Sequence, residues 1–251
     1  MTMDGKKYPN RPIPGRRPGR IIVSCALAVC VLVACGGGTG LGPGEIQKRE
    51  DKLRQRLPID WNDYNAEDPV GSIEAFTKTL AQADAQDGIE LGVRNQVKAE
   101  AQNGIGWSFI RLQDLPAASQ SFGIATQLDR TNADAWVGWA GVALALRQYA
   151  DVLQYTNTAL ENDPDYNSAT RIDPQGQVIG HDAIDERHVR LMLAEANFQL
   201  GRYSAVDRPD PNNAAAQVSL IDRTFRYRDP GQLLERISEL SLELQDLVSA
   251  G

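Results

Sequence analysis

Cysteine is scarce in this chain, and the few present sit where they cannot brace a fold. Cys25, Cys30 and Cys35 are the three, all near the N-terminus. Beyond Cys35 a disulfide framework within the chain and a cysteine metal site are therefore excluded. Histidine is equally sparse, with only His181 and His188. Together with Asp182 and Asp185 they fit no metal-ligand spacing, and they read as solvated residues around a capped helix start. Asp207–Asn213 offers oxygen ligands but lacks the order and the distal Glu of a calcium loop, so it reads as a connection. There is no G-x-S-x-G or H-E-x-x-H motif, and the glycines at 36–38 lack the Lys-Ser/Thr of a phosphate loop. No catalytic residue, metal site or cofactor is expected, and the chain does not read as an enzyme. Long apolar runs are missing too. The longest, Ile21–Ala34, has 14 apolar or small residues, short of the roughly 20 that span a membrane as a helix. β-Branched runs are few and helix formers dominate, which points to an all-α domain.

What is present is unevenly distributed. Residues 1–34 carry six Lys or Arg and one acid, leaving 20 bases and 32 acids for the remainder. A body this acidic argues against nucleic acid and against anionic membrane surfaces as partners. The basic start, the apolar run and the small Ala34 have the layout of a signal peptide. The run ends in Leu32-Val33-Ala34-Cys35, which resembles the lipobox of bacterial lipoproteins. The resemblance implies diacylglycerol attached to Cys35, cleavage between Ala34 and Cys35, and a lipid anchor in the cell envelope. Where two membranes are present, Gly36 in place of Asp after the acylated cysteine implies the outer membrane, facing the periplasm. Gly36–Gly44 reads as a flexible tether reaching about 15–18 Å. Residues 35–67 as a whole form an extension: a charged helix from Glu45 to Leu57, then a loop from Pro58 to Asp68 whose Trp61 and Tyr64 pack back on the body.

The body is written around one pattern that occurs twice, 34 residues apart. Ala99, Ala101, Gly104, Leu112, Gln120, Ala125 and Asp129 recur as Ala133, Ala135, Gly138, Leu146, Gln154, Ala159 and Asp163. Small residues stand where two helices would approach, and Phe109, Phe122 and Trp139 stand where gaps would need filling. Period and spacing resemble the tetratricopeptide repeat, a pair of helices that buries its apolar face by stacking on further pairs. Thr156 departs from the pattern, which has an aromatic there, and Arg130 stands where the second copy has Pro164. The expected fold is therefore a short all-α solenoid over 68–229. Its repeats lie near 99–132, 133–166 and 187–220, with an insertion at 167–186 and a capping helix at 230–251. Asp68-Pro69 and Asp229-Pro230 mark helix starts, and Ser72–Phe76 resembles the second helix of an earlier, degenerate copy. Within the insertion, Asp173–Gly176 is a turn signature between flanks able to form a small hairpin, and Asp182 caps the helix that follows.

In tetratricopeptide proteins the first helix of each repeat lines a groove. By matching slots the resemblance implies a lining of Asn103, Trp107 and Ile110, then Val137, Gly141 and Leu144, then Leu191, Glu195 and Phe198. Trp107, facing Gly141 across the offset, reads as the anchor, with the inter-repeat core as its other possible place. The function that follows is an adaptor holding a protein or peptide in the groove. Two readings stand beside it: a ligand-binding or enzymatic lipoprotein using 167–186 as a lid, and a structural lipoprotein that self-associates through 230–248. Leu233, Ile237, Leu240, Leu244 and Leu247 there form a seam of about two heptads, and a monomer capped by this helix is the expected state.

Overall fold

The computed structural model describes residues 41–204 and 212–249. Ala34, Cys35, the tether before Leu41 and most of the Asp207–Asn213 connection lie outside the described residues. Within them the protein is all-α, without a β-strand. The helices are α1 (Pro43–Arg54), α2 (Arg56–Asn65), α3 (Pro69–Ala85), α4 (Leu91–Arg111), α5 (Leu115–Leu128), α6 (Ala133–Ala145), α7 (Tyr149–Asn162), α8 (Glu186–Gln199), α9 (Ala214–Ile221) and α10 (Pro230–Ser249).

Most starts are set by a short polar side chain that takes up a free backbone N–H. Asp68 accepts from Gly71, Asp114 from Ala117, Asn132 from Ala135, Asn213 from Ala216 and Asp229 from Gln232, all at 2.9–3.1 Å. Helix ends recur as well. After α4, Gln113 N–H donates to Ile110 O and Asp114 N–H to Phe109 O. After α6, Arg147 and Gln148 donate to Leu144 and Ala143; after α8, Gly201 and Arg202 donate to Phe198 and Asn197. These are three copies of one left-handed cap, with φ of 59° at Gln113, 58° at Arg147 and 71° at Gly201.

Consecutive helices pack on each other from α1 through α9, and alternate ones also touch, α4 on α6 and α6 on α8. The pairs are keyed by aromatic rings set against glycine. A Cβ at Gly104 would lie 2.2 Å from the Phe76 ring, and one at Gly138 would lie 2.3 Å from Phe122. Both rings are fully buried. Thr156, in the slot of Phe122, is also fully buried, and its hydroxyl donates back to Val152 O at 2.6 Å.

Several sequence expectations need correction. Residues 58–65, expected as loop, belong to helix α2, because Pro58 falls in its first turn, where its missing N–H is no loss. Its Trp61 and Tyr64 are buried as expected. Pro43 and Gly44 belong to the first turn of α1 rather than to a tether, and α1 and α2 pack on α3 and α4 as part of the body. The expected hairpin in the insertion amounts to one bridge, Ile172 with Val178, around the Asp173–Gly176 turn, preceded by a 3-10 turn at Ser168–Thr170. Asp185, not Asp182, caps α8, with its carboxylate on the Arg187 and His188 amides. On α10, Leu233, Ile237, Leu240 and Leu244 are all buried, and the helix packs on α8 and α9. That seam thus faces the chain's own core in this structure; the Leu247 side chain lies outside the described residues.

Candidate functional site

Helices α4, α6 and α8 each turn residues toward a common space. On α6 the stripe is Val137, Gly141 and Leu144, and on α8 it is His188, Leu191 and Glu195. Both follow the three- and four-residue spacing of one helix face. With Trp107 and Ile110 of α4, and Ser241, Leu244 and Gln245 of α10, they enclose a cleft of about 520 Å³. Ile184 and Met192 complete its wall. Seven of the nine groove residues expected from the sequence therefore meet here: Trp107, Ile110, Val137, Gly141, Leu144, Leu191 and Glu195. Phe198 lines an adjoining hollow of about 340 Å³ between α8 and α10, which shares Glu195 and Ser241 with the cleft. The two form one apolar track.

Asn103 is the correction. It is fully buried and donates to Asp134 Oδ2 at 2.6 Å, so no partner can reach it. Trp107 is corrected in part. It is only 5% exposed, its Nε1–H donates to Asp134 at 3.1 Å, and its ring meets Phe122 at 5.6 Å and His181 at 4.6 Å. It serves as cleft wall and core rather than as a projecting anchor.

Next to this cleft, the chain's own insertion packs against α4 and α6. Asp134, 1% exposed on α6, accepts from Arg171 at 2.8 Å, from His181 at 2.9 Å and from the Tyr166 hydroxyl. Arg171 also donates to both oxygens of Glu100 at 2.8 Å, and Glu100 accepts from Trp61 Nε1 at 2.9 Å. Two carboxylates thus face a guanidinium and an imidazole, with every Asp134 oxygen bonded. Burial alone would raise the Asp134 carboxyl; the charges of Arg171 and His181 outweigh it and hold the group well below the carboxylate range. Burial would lower His181, and the Asp134 charge reverses that and raises it. His181 is therefore not the solvated residue its sequence context suggests: its ring stacks on Trp61 at 4.8 Å, 9° from parallel. Beside it, Asp182 accepts from Tyr64 at 2.6 Å and Arg111 at 2.8 Å, and these contacts, with His181, overcome burial and lower its carboxyl. These contacts hold the insertion at both ends, at Arg171 and at His181–Asp182.

Sequence reasoning misses this cluster, although two signals mark it: Asp134 and Glu100 each stand alone among small apolar residues, in Ala133-Asp134-Ala135 and Ala99-Glu100-Ala101. A second cleft of about 530 Å³ is lined by this cluster together with Arg54, Asp129 and Asp163. Its central charges, Arg171, Glu100 and Asp134, are already committed to each other, so it offers less to a ligand than the apolar cleft. Comparison with known proteins returns no match, neither to a family model nor to a curated protein.

Proposed function

We propose that this chain is a lipid-anchored adaptor of the bacterial cell envelope, built as a tetratricopeptide-type solenoid. In this reading Cys35 carries the lipid, in diderm cells at the periplasmic face of the outer membrane. The cleft between α4, α6, α8 and α10 receives an apolar segment of a partner protein. The left-handed cap repeated after three first helices, and the aromatic-on-glycine keys at Gly104 and Gly138, support the solenoid. The observation that carries the binding role is the convergence of three helix stripes on one apolar cleft, of a size typical for ligand pockets. The partner segment carries basic residues as well as apolar ones, because the body after residue 34 has 32 acids against 20 bases.

Gly141 provides the test. A Cβ there would meet nothing within 4 Å, so a side chain at 141 starts into open space and Gly141→Leu should fill the cleft. The partner recovered by cross-linking in native membranes should be lost from this variant while its melting temperature holds. Recovery unchanged by the filled cleft contradicts the proposal.

A further inference from the structure

Glu195 stands at the junction of the two hollows and lines both. Among the described residues its carboxylate has no hydrogen bond and no ion pair, and it is half-buried. Every neighbour that lines the cleft or the hollow around it is apolar or uncharged, apart from His188. Burial raises its carboxyl, with no cation to offset the cost. An acid left unpaired in an apolar wall is the kind of group a ligand cation would satisfy, and the desolvated setting strengthens such a pair once made.

Two further features give the ligand a direction. His188 Nε2 is buried at the cleft wall without a partner. It lies seven residues before Glu195 on the same helix, about 10 Å along the axis at roughly 1.5 Å per residue. An extended peptide covers that distance in about three residues at roughly 3.3 Å each. Beyond Glu195, Leu234 and Leu242 of α10 line the smaller hollow and remain 44% and 64% exposed. The order along the track is thus a polar contact, an apolar pocket, a carboxylate and a second apolar surface.

We infer that Glu195 reads a lysine or arginine side chain in the partner segment, so that the cleft selects extended peptides in which a cation lies between two apolar side chains. This inference rests on the adaptor reading above. A backbone group of the peptide meets His188, one apolar side chain enters beside Gly141, the cation pairs with Glu195, and the second apolar side chain covers Leu234 and Leu242.

The test uses the full-length protein in detergent and fluorescein-labelled short peptides. One has a central lysine between leucines, one has norleucine in place of the lysine, and one has glutamate. Wild type should bind the lysine peptide about tenfold more tightly than the norleucine peptide, a difference of about 1.4 kcal/mol, and reject the glutamate peptide. Glu195→Gln, nearly isosteric, should erase the lysine preference and leave norleucine binding unchanged. If lysine and norleucine peptides bind wild type equally, and Gly141→Leu abolishes both, the groove stands and the charge reading is overturned. If no peptide binds, or if binding ignores Gly141→Leu, the groove reading and this inference fall together. A lysine preference that persists in Glu195→Gln places the cation elsewhere and also overturns the assignment.

Discussion

Phe122 occupies the space that Gly138 leaves open: a Cβ at 138 would stand 2.3 Å from the ring. The ring also fills the space beside Gly106, where a Cβ would lie 2.7 Å away. One side chain of α5 therefore sets how closely both α4 and α6 approach, and so positions two of the three stripes that form the cleft.

The glycines separate packing from propensity. In a helix interior Gly→Ala ordinarily stabilises by about 0.5–1 kcal/mol. Gly141→Ala should follow that rule, since nothing lies within 4 Å. Gly138→Ala should do the opposite and destabilise by about 1–3 kcal/mol through overpacking. Phe122→Ala should cost about 3–5 kcal/mol. Urea denaturation of the three variants checks the set, and equal signs at 138 and 141 would show that Phe122 is not keyed to Gly138.

Arg171 holds the insertion in place, and its removal should show which part of the fold depends on that. Arg171→Met removes the guanidinium that Asp134 and Glu100 share and should cost about 3–5 kcal/mol, as for other broken buried pairs. Hydrogen exchange should rise first at Ile179 and His181, whose amides bond to Arg171 O and Ser168 O. Uniform loss across all helices would mean that the insertion does not open separately.

The same cluster gives stability a defined pH profile. His181 has its folded value raised. Its contribution is complete below its unfolded value of about 6.5 and is lost as pH climbs through the raised value. Asp134 and Asp182 have theirs lowered. Their contribution is complete above the unfolded value of about 3.9 and is lost as pH falls through the depressed values. The urea midpoint should therefore be highest between about pH 4 and 6.5 and should decline above it. His181→Gln should remove that alkaline decline, and a slope unchanged in the variant would assign it to another group.

How much of this the sequence discloses depends on range. Asp68-Pro69 and Asp229-Pro230 disclose helix starts because a cap is settled within four residues. The 34-residue period places Val137, Gly141 and Leu144 on one face and, with the insertion subtracted, Leu191 and Glu195 beside them. Pro58 misleads because a proline in a first turn and a proline that ends a helix look alike in isolation. Asp134 and Arg171 are 37 residues apart; the lone acid among alanines marks Asp134 as unusual, but nothing local to it names Arg171 as its partner or shows that the insertion packs against α4 and α6. Asn103 fails as a groove residue for that reason: its slot is right, and the chain itself fills the space in front of it.

Maturation is checked by intact mass. Membrane-extracted protein should begin at Cys35 with a lipid adduct, and Cys35→Ser should accumulate uncleaved, since serine supplies no thiol to accept the lipid. A mass that retains Met1 in the wild type would remove the anchor from the account.

The most direct measurement is photo-crosslinking in native cells from a benzophenone side chain placed at single positions. Leu144 lines the cleft, whereas Gln154 is exposed on α7 outside it. A discrete adduct from Leu144, none from Gln154, and loss of the Leu144 adduct when Gly141→Leu fills the cleft is the predicted result. Adducts from Gln154 with none from Leu144 would contradict it and move the binding surface to the second helices.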